Sequence, residues 1–291
     1  MKIQTSLIVP VYQRKDNLHL LFASIDKLRE AAKFNFEVII CDDGGSDDTL
    51  ELVQQYQHIC PIRYIWHPHD CFQAGFARNE GAAIAKGSSL LFLDSDVLLN
   101  PSALAHYENL SLANPDAVIL GRYDWLPPMK VTPKAVYEKW ERLIECSLTP
   151  DKELAKTQVG IVGTDPRALR MPSAFKEPAI PCEFFASMMY SGNMLIPKHV
   201  FEAIDGFDED LTGHGGEDCE LSIRLQLAGY RAIFSDLVIG YHVCHARNQL
   251  RNAQEVNNNV AYIARKHDLD EVYLHVVEKQ GTLMILPKGD S

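Results

Sequence analysis

At 291 residues, with 46% hydrophobic and 23% charged side chains, the chain has an ordinary globular composition and room for one large α/β domain or two small ones. Its formal net charge of −11 argues against nucleic acid or an anionic membrane surface as main partner, so a negatively charged ligand needs local positive charge or a metal. Seven scattered cysteines without a CxxC pair fit free thiols, and no run approaches the ~18 apolar residues that span a bilayer, so a cytoplasmic place, at most peripheral to the inner membrane, is expected.

In chain order, SLIVPVY (6–12) reads as a buried first strand. Residues 16–33 carry Leu18, Leu21, Phe22, Ile25 and Leu28 at helical spacing, with Asp16 as N-cap. FEVIICDD (36–43) is a second strand ending in acids, followed by a glycine turn and a helix that Ser46 or Asp47 caps. IRYIWH (62–67) is a third strand, GFARNEGAAIAKG (75–87) a helix ending at Gly87, and SSLLFLDSD (88–96) a fourth strand. Strands alternating with helices predict a parallel, helix-covered sheet.

Beyond ALAHYENL (103–110) and AVILGRY (117–123) the pattern weakens. Residues 124–183, rich in Pro, Lys and Glu with one amphipathic stretch at 134–146, read as an insertion or mobile region beside the sheet. Residues 193–207 return to strand-then-helix, and 213–234 give a glycine loop, a helix over 217–228 and a further strand. The polar tail reads as a helix with Val256, Val260 and Ile263 on one side.

Asp94 and Asp96 close a run otherwise fit for burial, where an unpaired carboxylate costs several kcal/mol. Either the strand ends and the acids turn into solvent, or a cation sits between them. Spacing i, i+2 puts both on one face of an extended segment, and a hard divalent cation takes one or two carboxylates plus substrate phosphates. Asp42 and Asp43 end another strand, and in open parallel sheets ligands sit outside the carboxyl ends.

Gly213-His214-Gly215-Gly216 lets the backbone approach a ligand closely, and Glu217 and Asp218 then open a helix whose positive end favours acids. That is an ordinary helix start, or a rim carboxylate able to take a proton from an attacking hydroxyl. His242 and His245 follow a strand, with a spacing that does not define a zinc site. Arg78 is either a solvated helix residue or a phosphate ligand, as one of few basic residues near this rim.

LIVPVYQR, EVIICDDGGSDDT, AGFARNEGAAIAKGSSLLFLDSD and GFDEDLTGHGGEDCELSIRLQLAGY together resemble an inverting family 2 glycosyltransferase of the GT-A fold. The last segment is similar to the C-terminal signature of galactosyl- and N-acetylgalactosaminyltransferases, and the motifs run in family order through residues 5–245. The resemblance implies a single α/β domain, a Rossmann-like, mostly parallel sheet flanked by helices. Residues 1–100 would hold a nucleotide sugar, 101–250 the acceptor and the catalytic machinery with the insertion on the acceptor side, and 251–291 a helical tail.

It also implies roles. Pro10 and Tyr12 would line the base pocket, Asp43 would bond the base, and Arg78 would approach the diphosphate. Asp94 and Asp96 would be the DxD pair that binds ribose and Mn²⁺ or Mg²⁺, with His242 a further metal ligand. Asp218 would be the catalytic base, with His214, Gly216 and Glu217 near the sugar or acceptor; many relatives carry Trp where His214 stands. The implied activity moves a hexose or N-acetylhexosamine from a UDP-sugar to an acceptor hydroxyl, in glycan or polysaccharide synthesis. A nucleotide-sugar-binding pseudoenzyme and a nucleotidyltransferase are the alternatives. A dinucleotide dehydrogenase needs GxGxxG where VPVYQRKDN stands.

Overall fold

The computed structural model describes residues 2–32, 35–69, 73–126, 131–148, 165, 189–243, 249–268, 274–277 and 282–285. The first half alternates β1 (Thr5–Val11), α1 (Lys15–Ala31), β2 (Phe36–Asp42), α2 (Thr49–Gln55), β3 (Ile62–Trp66), α3 (Ala74–Ile84) and β4 (Ser89–Leu93). There follow β5 (Val97–Leu99), α4 (Ala103–Ala113), β6 (Val118–Trp125), α5 (Pro133–Glu138) and α6 (Trp140–Leu148). The rest supplies β7 (Asn193–Pro197), α7 (Lys198–Ala203), α8 (Glu217–Leu227), β8 (Ala232–His242), α9 (Gln249–Lys266), β9 (Leu274–Val277) and β10 (Thr282–Ile285).

One eight-stranded sheet runs β3-β2-β1-β4-β7-β6-β8-β5. Its first four strands are parallel, β7 is antiparallel to both neighbours, and β6–β8 is again a parallel pair. All of β2 is buried, and all of β1 but Pro10, as expected of strands covered on both faces. Alternation splits β1 between two cores: Leu7 and Val9 pack with Leu18, Phe22 and Ile25 of α1, while Ile8 packs with Ala77, Phe201 and Leu221. Pro10 lies past the last β1–β4 pair, Ile8↔Phe92, where its missing N–H leaves no ladder bond to β4 unmade.

β2 lies on one side of β1 and β4 on the other, so the strand order reverses between β1 and β4. The crevice at that reversal, outside the carboxyl ends, is where open α/β sheets bind ligands. Tyr12 and Asp94 stand there, directly after β1 and β4.

Several local expectations change. The fourth strand stops at Leu93 and residues 95–96 form a turn, since Val97 N–H donates back to Asp94 O at 3.1 Å. α3 ends at Ile84. Gly87 is needed for another reason: a Cβ there would lie 2.6 Å from Ser6 N. Arg14 and Asp48 hold the N-cap positions of α1 and α2, while Asp47 accepts from Lys15 N–H and the Thr49 hydroxyl. The amphipathic stretch breaks at Lys139 into α5 and α6.

The tail is not all helix, because β9 and β10 pair antiparallel after α9. On α9, Val256 and Ile263 are buried and Val260 only half-buried, with Asn259 buried beside them. The mobility expected of 124–183 falls largely on residues outside those described, as does His245. Among the described residues no helix is long and apolar enough to cross a membrane.

Candidate active site

The turn after β4 sends its two acids in different directions. Asp94 N–H donates to Gly192 O at 3.1 Å, and Val243 N–H donates to Asp96 O at 2.8 Å. Gly192 leaves room for the Asp94 carboxylate: a Cβ there would lie 2.3 Å from Asp94 Oδ2 and would displace it. Asp94 accepts from Arg78 Nη2 at 2.9 Å and from the Tyr123 hydroxyl at 3.3 Å. Asp96 Oδ2 stands 3.4 Å from His242 Nε2. His242 is the last residue of β8 rather than one beyond it, fixed between Val97 of β5 and Trp125 of β6.

Asp96 and His242 fit a divalent cation in donor chemistry: a carboxylate oxygen facing an imidazole nitrogen, with side chains only 13% and 4% exposed. The expected trio is not assembled, however. Among the described residues no group of three or more His, Cys, Asp or Glu gathers as a metal site. Asp94 is engaged by Arg78 and Tyr123 because the segment is a turn, and the one-face argument for extended chain does not hold there.

Arg78 is buried on α3, not solvated. Its Nη1 lies 3.7 Å from Glu217 Oε1, and its guanidinium lies 5.5 Å from the centre of the Phe207 ring. Burial pulls its pKa down, but Asp94, Asp218 and Glu217 outweigh that and raise it above the usual arginine value. The resemblance implies a place beside the diphosphate; in the structure Arg78 stands among Asp94, Glu217 and Asp218.

Asp218 is in the first turn of α8, after Gly216 at φ +101°. Burial, then the neighbouring Glu217 charge, push its carboxyl up to about 7, while Arg78 and Ser191 pull it down. Its Oδ1 is shut off from solvent with no hydrogen-bond partner among the described residues. A carboxylate so placed can take a proton near neutral pH.

The glycine loop that presents Asp218 is held by α9. His214 N–H donates to Glu255 Oε2 at 2.9 Å, and Asn259 Nδ2 donates to Thr212 O at 3.0 Å and Gly215 O at 2.6 Å. Gly213, Gly215 and Gly216 all have positive φ, and a Cβ on any of them would come within about 3.1 Å of Glu255, Val256 or Asn259.

At the other end of the rim, Tyr12 is 37% exposed and its ring stacks on His69. Asp43 is buried, with His67 Nε2 at 3.0 Å from one oxygen and His69 Nδ1 at 3.1 Å from the other. His67 Nδ1 stands 2.6 Å from Glu80 Oε2, at ion-pair distance but outside hydrogen-bond alignment. Asp42 is used by its own turn, accepting from Gly45 N–H and the Tyr64 hydroxyl, both at 2.7 Å. Pro10 is half-buried on β1, opposite Cys41 of β2.

Sequence reasoning missed His67, His69, Tyr123, Ser191 and Asn259. The His-Pro-His spacing at the end of β3 and the alternation that puts Tyr123 and Trp125 on one side of β6 were the available signals. Asn259 had none, since its partners lie more than forty residues away in sequence.

A family model for glycosyl transferase family 2 matches residues 6–164, and one described as the N-terminal domain of galactosyltransferase matches residues 174–246. The chain is 29% identical over 278 residues to validoxylamine A glucosyltransferase of Streptomyces hygroscopicus subsp. jinggangensis, with 90% of this chain and 60% of that protein aligned. It is 26% identical over 271 residues to hyaluronan synthase of Pasteurella multocida, covering 92% of this chain and 27% of that one. The chain thus spans less than two thirds of the length of each of these curated relatives. The crystal structure of S. aureus TarS 1–349 in complex with UDP-GlcNAc superposes with a TM-score of 0.62 at 18% identity, over 93% of this chain and 69% of that one. The fold is the GT-A fold, and the chain belongs to glycosyl transferase family 2.

Proposed function

We propose that this chain transfers a hexose or N-acetylhexosamine from a UDP-sugar to an acceptor hydroxyl, with inversion at the anomeric carbon. The observation that carries the proposal is the rim at the strand reversal: Arg78 bonds Asp94 beside the Asp96–His242 pair and also approaches Glu217, next to the unpartnered Asp218 oxygen. A leaving-group end and a base end are thereby joined through one buried guanidinium.

Asp218 accepts the proton of the acceptor hydroxyl as that oxygen attacks the anomeric carbon. The bond to the diphosphate breaks on the opposite face, and the configuration inverts. Glu217, His214 and Gly216 orient the sugar and acceptor, and Asp94, held by Arg78 and Tyr123, receives the ribose. Asp96 and His242 hold Mn²⁺ or Mg²⁺, which when bound offsets the charge developing on the diphosphate. Pro10 and Tyr12 line the base slot and Asp43 accepts the in-plane imide N–H of uracil, a donor that cytosine lacks. TarS, which shares the fold, has been crystallised with UDP-GlcNAc, in keeping with a uridine donor.

On this proposal residues 1–100 are the donor half, 101–250 the acceptor half and 251–291 a tail that braces it. The free thiols of Cys41, Cys60 and Cys219 suit the reducing cytoplasm, and glycan or polysaccharide is the acceptor class. A screen of nucleotide sugars, scored by acceptor-dependent release of free nucleotide and by the product's anomeric configuration, tests it. Retention of configuration rules out the single displacement. Binding of UDP-sugars without turnover on any acceptor favours a pseudoenzyme.

A further inference from the structure

A flat ring already lies where the donor's base would go. The His69 imidazole stacks on Tyr12 with ring centroids 4.1 Å apart and planes 13° from parallel. In the same pose its Nδ1 stands 3.1 Å from Asp43 Oδ2, while His67 holds the other oxygen at 3.0 Å. A planar ring stacked on Tyr12, with a ring nitrogen beside the Asp43 carboxylate, fills the place that the proposed uracil would take.

The two histidines are not equivalent. The His67 side chain is 12% exposed and is gripped between Asp43 and Glu80. That of His69 is 27% exposed and is held only by Tyr12 and Asp43 in the described structure. Gly44 packs against its backbone so closely that a Cβ on the glycine would lie 2.3 Å from His69 N. Turning the side chain off Tyr12 needs no movement of that backbone contact.

We infer that His69 is an internal plug of the nucleobase slot, which the donor displaces by turning the imidazole off Tyr12. This rests on the donor assignment proposed above. The plug must leave before either base contact forms, so it weakens every ligand that uses the slot by one common factor, set by the fraction of molecules with the slot open. A ligand that occupies only the phosphate end escapes that factor. One stacked-ring contact and one close histidine–carboxylate contact, both traded against water, set it at roughly 10-fold.

The experiment is calorimetric titration of the full chain with UDP, UMP and inorganic pyrophosphate in excess Mg²⁺, comparing wild type with His69→Ala and His69→Gln. His69→Ala is expected to bind UDP and UMP about 10-fold more tightly, with pyrophosphate unchanged. His69→Gln, which loses the stack but keeps a polar side chain facing Asp43, is expected to gain a few-fold and decides the matter if the alanine variant does not fold. UDP binding that is unchanged or weaker in the variants makes His69 a wall of the slot and overturns the plug. An equal gain for pyrophosphate also overturns it. Absence of UDP binding by every protein removes the donor assignment itself, and the plug with it.

Discussion

Arg78 reaches Asp94 at 2.9 Å with one terminal nitrogen and Glu217 at 3.7 Å with the other, from a position almost closed to solvent. Asp94 follows β4 and Glu217 opens α8, so this one side chain couples segments more than 120 residues apart in sequence. Without it, Asp94, Glu217 and Asp218 face one another uncompensated in a partly desolvated crevice. Arg78→Met should cost about 3 kcal/mol or more of stability in chemical denaturation, as expected when one partner of a buried ion pair is removed. Arg78→Lys should fold better but, without the planar fork, should bridge the two acids poorly and lower kcat. Arg78 also lowers the Asp218 pKa through its charge, so the acidic limb of the pH–rate profile should move to higher pH in Arg78→Met, and less in Arg78→Lys, which keeps the charge. An unmoved limb in Arg78→Met would show that the guanidinium does not act on Asp218.

Asp218 makes a second, two-sided prediction. Its carboxyl is raised from 3.8 to about 7, chiefly by burial, so the folded protein binds its proton more tightly than the unfolded chain does. The stability this contributes is fully present below about pH 4 and is lost as pH rises through about 7. Asp218→Asn should therefore be more stable than wild type at about pH 8, by on the order of 2 kcal/mol, with the gap closing toward pH 4. The same change removes the base, so kcat should fall ~10²–10⁴-fold while the Kd for UDP stays put. Urea titrations at both pH values and steady-state kinetics check the two halves separately. A variant that turns over normally would transfer the role of base to Glu217.

The third prediction concerns α9, which lies beyond both family matches. Asn259 bonds Thr212 O and Gly215 O across the glycine loop, and the loop's positive-φ glycines leave it little stiffness of its own. Asn259→Ala should cost about 1–2 kcal/mol in stability and lower kcat roughly 10-fold, with UDP affinity unchanged. A purely structural role predicts the stability loss alone, with kcat per folded molecule intact. The split between kcat and UDP affinity, measured on folded protein, distinguishes the two.

The first hundred residues were legible because their strands are short, continuous apolar runs ended by polar residues. LIVPV, EVIIC and LLFL occur within β1, β2 and β4, and the rim acids follow from where those runs stop. What the sequence hid was non-local. β5 is three residues long, and it is a strand only because β8 returns beside it, which is also why Asp96 meets His242. Asp94 and Asp96 look equivalent in the sequence, yet a turn assigns one to Arg78 and the other to His242. Asp43 reads as an open acceptor, and only the return of β3 brings His67 and His69 onto it. Periodicity placed Val256 and Ile263 on the buried side of α9, but it could not foresee that Asn259 beside them serves the loop before α8.

The final prediction turns on the Asp96–His242 pair. A carboxylate oxygen and a ring nitrogen 3.4 Å apart would supply two ligands to Mn²⁺ or Mg²⁺. On the proposed function the donor's phosphates would add to them, so metal and nucleotide should bind with positive coupling and the metal alone weakly. Calorimetry with Mn²⁺ alone, UDP alone and both together should show each tightening the other by the same factor, as linkage requires. Asp96→Asn and His242→Gln should each remove that coupling. Turnover should stop in excess chelator and return with Mn²⁺. Asp94→Asn should keep the coupling, because Asp94 faces Arg78 and Tyr123 rather than the pair, and should instead weaken stability through the stranded guanidinium. If Asp94→Asn abolishes the coupling as thoroughly as Asp96→Asn does, the two aspartates share the ion and the division of labour drawn from the turn is wrong.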